Sequence, residues 1–125
     1  MGRPPRDFDC EQAYHLTSHG IDDRPIFLDD VDRQAFALRL LRVARRHEWG
    51  IWSVCLMDTH YHLVVQPLRT EMAAGMRVLN GAHSRFFNRR HERRGALFEA
   101  RYSAEAIVDD DHLAAATAAA RCLTP

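Results

Sequence analysis

The 125-residue sequence has no lysine, and all 17 of its basic residues are arginine. Planar guanidinium groups suit the recognition of phosphates and bases. An Arg- and Ala-rich chain also reflects GC-rich coding DNA, so only the placement of the arginines is informative. No apolar run approaches the roughly 20 residues that a membrane span needs, and the N-terminal stretch MGRPPRDFDCEQ lacks the apolar core of a signal peptide. The sequence therefore predicts a cytoplasmic protein without a membrane partner.

Cysteine is scarce as well. Cys10, Cys55 and Cys122 show no CxxC spacing, which predicts three scattered free thiols in a reducing compartment. The chain is long enough for one domain with a genuine core and too short for two of ordinary size. We therefore expect residues 1–125 to form a single domain with one site.

The net charge of zero conceals a polarity along the chain. Residues 7–32 hold eight acidic residues and one arginine, whereas residues 69–101 hold eight arginines and three glutamates. The second segment carries net positive charge. We expect the acidic segment to face away from any phosphate that the basic segment binds, because the two negative charges would repel.

Hydrophobic periodicity predicts the element order β, α, β, β, α, β, α. QAYHLTSHG is a strand ending at Gly20. DDVDRQAFALRLLRVARRHEWG is a helix capped by Asp29 or Asp30 and stopped at Gly50, with an apolar stripe widened by Leu41 and Ala44. IWSVCLM and HYHLVVQP form a hairpin, TEMAAGMRVLNGAHSRFFNRRHERRG a second helix, LFEARYSAEAIV a last strand and DDDHLAAATAAARCLTP a final helix. This order is typical of an α+β, ferredoxin-like split β-α-β core, an antiparallel sheet with helices packed on one face.

The second helix has two distinct faces. Its apolar stripe is predicted to be core and runs through Met72, Met76, Leu79, Ala82 and Phe86. The polar face carries Arg77, Asn80, Ser84 and Asn88, and further arginines follow at Arg85, Arg89, Arg90, Arg93 and Arg94. Each arginine taken singly is an ordinary solvated surface residue, but the cluster indicates phosphate contacts.

The stretch MDTHYHLVVQP places His60 and His62 at the start of an apolar strand. Residues two apart on a strand point to the same face, so the two imidazoles should lie side by side while Tyr61 faces the other way. Two neutral imidazoles suit a divalent metal. An H-x-H pair alone is a weak signal, and on spacing alone a structural role is favoured.

Four sequence motifs favour a metal-binding role for this histidine pair over a structural one. YHLTSHGIDDRPIFLDD, CLMDTHYHLVVQP, MRVLNGAHSRFFNRRHERRGALFEARY and DDDHL resemble the REP-associated tyrosine transposases, members of the single-tyrosine HUH transposase family. The resemblance implies a ferredoxin-like fold and action on single-stranded or hairpin DNA. A second copy of the chain, in a homodimer, is a further candidate partner. It also implies a Mg²⁺ or Mn²⁺ site at His60 and His62, where the metal polarises the scissile phosphate and a tyrosine attacks it to leave a 5′-phosphotyrosine.

The chain departs from this family near its C-terminal end. The family's nucleophile stands in a pattern like Tyr-Ile-x-x-Asn-Pro, in which the Asn completes the metal site. Aligned on Pro125, those two positions are Ala120 and Thr124. A methyl group cannot attack phosphorus, and neither Tyr61 nor Tyr102 matches the nucleophile position. We therefore expect weak metal binding and a family domain that is shortened at this end.

Three functions are compatible with the sequence. The first is a transposase that cleaves DNA with a nucleophile not located in the sequence, and the second is an inactive, domesticated or truncated DNA-binding module. The third, a plain structural or protein-interaction domain, is disfavoured by the family resemblance. Whether the chain is an enzyme stays open, and no catalytic residue is assigned. The residues expected to contact DNA are Arg77, Asn80, Arg85, Asn88, Arg89, Arg90, Arg93, Arg94 and Arg101, with Phe87 reaching or stacking on a base.

Overall fold

The computed structural model describes residues 12–68 and 72–107. Their elements are β1 (Tyr14–His19), a short 3-10 helix (Ile21–Asp23), α1 (Asp30–His47), β2 (Trp49–Leu56), β3 (His60–Pro67), α2 (Met72–Arg90) and β4 (Ser103–Ala106). The predicted order is confirmed as far as the fourth strand. The predicted final helix, with Ala120 and Thr124, lies outside the described residues. In the part of the chain that is described, no helix has both the length and the apolar character needed to cross a membrane.

The strands form one four-stranded antiparallel sheet in the order β2-β3-β1-β4. The central strands β1 and β3 pair so that His19 lies opposite His60 and Thr17 opposite His62. Helices α1 and α2 pack against each other and against the sheet. The α+β prediction of an antiparallel sheet with its helices on one face is confirmed.

The main core lies between the sheet and the two helices. Strand alternation sends every second residue toward the helices, and the buried cluster includes Leu16, Phe27, Phe36, Leu63 and Met76. Gly75 of α2 lies against the indole of Trp49, where an added Cβ would clash with the ring. The glycine therefore lets α2 approach the start of β2 closely.

Helix α1 starts as predicted but ends earlier. The Asp29 side chain accepts a hydrogen bond from the Asp32 amide at 3.1 Å, which caps the N-terminus. The helix ends before Glu48, which takes a left-handed conformation at φ 55° and ψ 55°. Gly50 lies inside β2, so the prediction of Gly50 as the stop is wrong. Leu41 is 61% exposed, so the prediction that it widens the buried stripe is also wrong.

The buried stripe of α2 differs from the prediction in its second half. It runs through His83 and Phe87, whereas Ala82 and Phe86 are only partly buried. Phe87 is 3% exposed, so the prediction that it reaches a DNA base is wrong. Its ring fills the core because it follows Leu79 and His83 at four-residue steps.

The outer face of the sheet, opposite the helices, carries a second and smaller buried cluster of Cys55, Val64 and Ile107. Cys55 is disulfide-bonded, so the prediction of free thiols is wrong for this residue. Cys10 and Cys122 lie outside the described residues.

Candidate functional site on the outer face of the sheet

Strand β3 places the two predicted metal ligands on the outer face. The ring centroids of His60 and His62 lie 4.9 Å apart, with the ring planes at 87°. Tyr61 between them is fully buried on the helix side, where its hydroxyl donates a hydrogen bond to Asn80 Oδ1 at 2.6 Å. Burial raises the pKa of Tyr61 well above its ordinary value. The predicted orientations are confirmed, and this buried phenol is not directed at the histidine face.

Strand β1 adds three side chains to the same face that were not predicted. Nδ1 of His62 lies 2.9 Å from His15 Nε2 and 3.1 Å from Thr17 Oγ1. The His19 ring stacks on His60, with centroids 4.9 Å apart and planes at 20°. The alternation in YHLTSH carries the signal, because it puts every second residue on one face. Only the β1–β3 pairing brings that face beside the histidine pair.

Both predicted ligands favour the neutral state. Burial, and then the neighbouring His15, His60 and His19, together lower the pKa of His62 to about 4. Burial and then His19 lower the pKa of His60, against a smaller opposite effect of Asp23. At pH 7 both imidazoles are therefore uncharged, which is the state that binds a metal.

The fit to a divalent metal is partial. Two neutral imidazoles on one face are suitable donors. Across residues 12–68 and 72–107, however, no group of three or more His, Cys, Asp or Glu side chains is arranged to hold a metal ion. Thr124, aligned with the family's third ligand, lies outside these residues. Metal binding at His60 and His62 therefore remains a prediction.

The histidines lead to a prediction for stability in metal-free buffer. Burial and the neighbouring histidines lower the pKa of His62 to about 4, and burial lowers the pKa of His83 in the core below 6.5. Between pH 6.5 and pH 4 the unfolded chain therefore binds more protons than the folded chain, so stability falls as the pH drops through this range. Urea denaturation at several pH values, with EDTA present, measures this. A flat profile over that range would contradict the prediction, and His62→Gln should flatten it in part.

The predicted DNA-contact residues lie on the other side of the sheet. The polar face of α2 lines a groove of about 480 Å³ together with residues 95–100 and Tyr102. Its walls include Arg77, Gly81 and Ser84 on α2. The structure therefore brings the polar face of α2 and Tyr102 together, and it does not bring them onto the histidine face.

The predicted contact residues fall into two groups. The first group is exposed and, within the described residues, forms no hydrogen bond or ion pair: Arg77, Arg85, Arg89, Arg94 and Arg101. The members of the second group bond within the protein. Asn80 donates to Ser18 Oγ at 3.1 Å, Asn88 donates to the Gly95 carbonyl at 2.9 Å, and Arg93 donates to the Ala96 carbonyl at 2.7 Å. The exposed arginines are thus the ones presented to a phosphate.

Arg90, the remaining member of the second group, joins α2 to the start of α1. Its guanidinium donates to both carboxylate oxygens of Asp29 at 2.6 and 2.8 Å, and to Asp32 at 2.8 Å. The fully buried Asp32 carboxylate also accepts from the Leu28 amide and contacts His91 Nε2, both at 2.8 Å. The expectation that the acidic segment faces away from the basic one is therefore wrong for Asp29 and Asp32.

Comparisons with known proteins agree with this fold. A family described as Transposase IS200 like matches residues 10–117. The structure is similar to that of a REP-associated tyrosine transposase bound to a REP hairpin, with a TM-score of 0.72 and 13% identity, covering 94% of this chain and 68% of that one. It is also similar to a protein from Deinococcus radiodurans R1 classed as a transposase, with a TM-score of 0.62, 17% identity and 90% of each chain covered. No match was found among curated proteins.

Proposed function

The chain belongs to the IS200-like transposase family, and we propose that it is a DNA-binding member that recognises single-stranded or hairpin DNA in the cytoplasm but lacks the family's nucleophile. The observation that carries this proposal is the set of exposed arginines on α2, Arg77, Arg85 and Arg89, of which Arg77 lines an open groove. Guanidinium groups bind phosphates strongly, and nothing in the described residues neutralises these three.

The groove beside α2 gives the DNA chain a path. Arg77 and Arg89 are 12 positions apart on one helix, which corresponds to roughly 18 Å along its axis. Ser84 and Tyr102 both line the groove; the Ser84 hydroxyl donates to the Asn80 carbonyl at 2.7 Å, and Tyr102 supplies an aromatic ring.

The charged side chains that line the groove are Arg77 and Glu99, so the positive charge comes mainly from Arg85 and Arg89 on the neighbouring surface of α2. A basic surface combined with an aromatic ring for stacking is typical of proteins that bind unpaired nucleotides. The hairpin in the similar REP-associated structure supports the same class of DNA.

We propose that the histidine face is what remains of a metal site for DNA strand cleavage. His60 and His62 would hold a Mg²⁺ or Mn²⁺ ion weakly, because they are neutral and lie on one face. When bound, such an ion supplies Lewis-acid polarisation of a phosphate. Alignment on Pro125 puts Ala120 where the tyrosine belongs and Thr124 where the Asn belongs. Without a phenolate the chain has no group at that position to displace the 3′-oxygen of the scissile phosphate.

An active transposase is the second candidate. It is favoured by the intact histidine pair, whose geometry and neutral state suit metal-assisted cleavage. A catalytic chain would need a nucleophile at another position. Covalent trapping with labelled DNA separates the two candidates, since only the active chain forms a denaturant-resistant adduct.

DNA binding is expected to weaken steeply with salt. Each phosphate contact on a single strand contributes roughly 0.7 to the slope of log affinity against log salt. Arg77→Ala, Arg85→Ala and Arg89→Ala should each reduce that slope by up to about this amount. Fluorescence anisotropy with a labelled hairpin that has a single-stranded 5′ extension, measured from low to high salt, gives the slope.

Arg46→Ala serves as the matched control for that measurement, because it removes an exposed arginine from α1. It should not change the slope. A slope that responds equally to Arg46→Ala and Arg85→Ala would show that the α2 surface is not the DNA interface.

A further inference from the structure

Among the described residues, His60 and His62 each form hydrogen bonds through one ring nitrogen only. Nδ1 of His62 contacts His15 and Thr17, and Nδ1 of His60 lies 3.2 Å from Thr59 Oγ1. Among the described residues, Nε2 of neither ring takes part in a hydrogen bond. Both rings are thus held through Nδ1, and Nε2 of each ring is left without a hydrogen bond to the described residues.

We propose that His15, Thr17 and Thr59 are positioning residues that hold His60 and His62 in the tautomer with the proton on Nδ1 and the lone pair on Nε2. A neutral imidazole carries one proton, and the hydrogen bond made by one nitrogen decides which tautomer is present. Donation from Nδ1 to an acceptor leaves Nε2 as an electron-pair donor on both rings. This inference rests on the proposed function, because the open lone pairs are what a divalent ion requires.

The opposite tautomer would close the site. With the proton on Nε2, neither ring would offer a lone pair on its open side, and the threonine hydroxyls would donate to Nδ1 instead. Metal-binding histidines typically donate their other N–H to an oxygen or another acceptor. The threonine hydroxyls can accept such a bond, and His15 can accept it through Nε2 when its own proton lies on Nδ1.

The acceptors are held by the backbone of the sheet. Thr17 lies directly opposite His62 in the β1–β3 register, and Thr59 immediately precedes β3. Its carbonyl accepts a hydrogen bond from the Gly20 amide at 2.7 Å, which fixes the turn. Groups that orient a functional side chain act most accurately from such rigid positions.

Nitrogen chemical shifts of ¹⁵N-histidine-labelled protein test the tautomers without metal or DNA. Spectra are recorded with EDTA at about pH 8, above the usual imidazole pKa of about 6.5. We expect protonated Nδ1 and unprotonated Nε2 signals for both His60 and His62. Protonated Nε2 signals in the unmodified chain would overturn the inference directly, whatever the variants do.

Paired variants separate positioning from a merely structural role. Thr59→Val should change the tautomer of His60 alone, and His15→Leu with Thr17→Val should change that of His62 alone. Thr59→Ser and His15→Gln keep an acceptor and should preserve both tautomers. His19→Phe is the matched control, because His19 stacks on the His60 ring without bonding to Nδ1 of either histidine. Val and Leu variants that fold normally yet leave both tautomers unchanged would overturn the inference.

Mn²⁺ titration distinguishes this inference from the proposed metal role. Loss of a second-shell partner typically weakens metal binding by about 10- to 100-fold, so Thr59→Val should require at least about tenfold more Mn²⁺ to broaden the His60 signals. If the tautomers are as expected and Mn²⁺ broadens other signals first, the metal role fails and the positioning assignment stands. If Mn²⁺ binds equally well to the Val and Ser variants, the positioning assignment fails.

Discussion

The chain as it stands is expected to form no covalent adduct with DNA, whereas the double variant Ala120→Tyr, Thr124→Asn is expected to form one. The reason is chemical, since the proposed alignment on Pro125 puts Ala120 and Thr124 at the positions of the family's nucleophile and third metal ligand. A restored phenolate oxygen would bond to the scissile phosphorus, and the 3′-oxygen would leave with the electron pair of its bond to phosphorus. Labelled hairpin DNA in Mn²⁺, followed by denaturing electrophoresis, measures the adduct.

Three further variants make this experiment specific. Ala120→Phe with Thr124→Asn restores ring size without the hydroxyl and should give no adduct. His60→Ala or His62→Ala on the restored chain should abolish it, because the histidine face then loses a proposed ligand. An adduct from the unmodified chain would overturn the inactive assignment and direct attention to Tyr102. The restored variant is made on a chain extended beyond Pro125, so that the helix end can dock. No adduct from it would mean that the alignment on Pro125 is wrong or that the fold has drifted further from the family than the sequence shows.

The largest loss of stability is expected from Asp32→Ala. The Asp32 carboxylate is fully buried and bonds to Arg90, His91 and the Leu28 amide. Removing one partner from a buried charged network typically costs about 3 to 5 kcal/mol, a large share of a total that is generally about 5 to 15 kcal/mol. Urea denaturation should show a loss of about 3 kcal/mol relative to the unmodified chain.

Asp30→Ala is the matched control. Its carboxylate is 89% exposed and pairs with Arg33 at 3.4 Å, and exposed pairs contribute about 0 to 1 kcal/mol. A loss from Asp32→Ala no larger than that from Asp30→Ala would contradict the buried-network interpretation. Arg90→Ala should also destabilise the fold, because it leaves the buried carboxylate with fewer partners.

The network of Arg90, Asp29 and Asp32 also makes the stability of the fold depend on pH under acidic conditions. The Arg90 hydrogen bond lowers the pKa of Asp29 to about 2. Burial raises the pKa of Asp32, but the Leu28 amide, Arg90 and His91 outweigh burial, so its pKa is lowered below 3.8. Lowered carboxylate pKa values stabilise the fold above pH 3.8, and this stabilisation is lost as the pH falls toward 2.

The helices and strands could be predicted from the local pattern of apolar and polar residues. The histidine site could be predicted only in part. Strand alternation around His60, Tyr61 and His62 was sufficient to assign their faces, because the side-chain period of a strand is fixed. The neighbours His15 and Thr17 depend on the register between β1 and β3, a long-range property that composition and spacing do not encode.

For the arginines, the sequence predicts the cluster but not the orientation of each side chain. Clustering in the sequence correctly indicates a basic helix, but it does not distinguish Arg89, which faces solvent, from Arg90, which turns to Asp29 and Asp32. That difference arises from the packing of α1 against α2. The helix stop at Glu48 was missed for a related reason, since a non-glycine residue in the left-handed region is uncommon.

The sheet separates two surfaces that selection can treat independently. The histidine face and the arginine-bearing face of α2 lie on opposite sides of the same four strands, and Tyr61 and Asn80 seal the layer between them with a hydrogen bond. A substitution of His60 or His62 would therefore change the proposed metal site without changing the shape and charge of the α2 surface. The proposed DNA binding and the proposed metal chemistry could thus be lost separately in evolution.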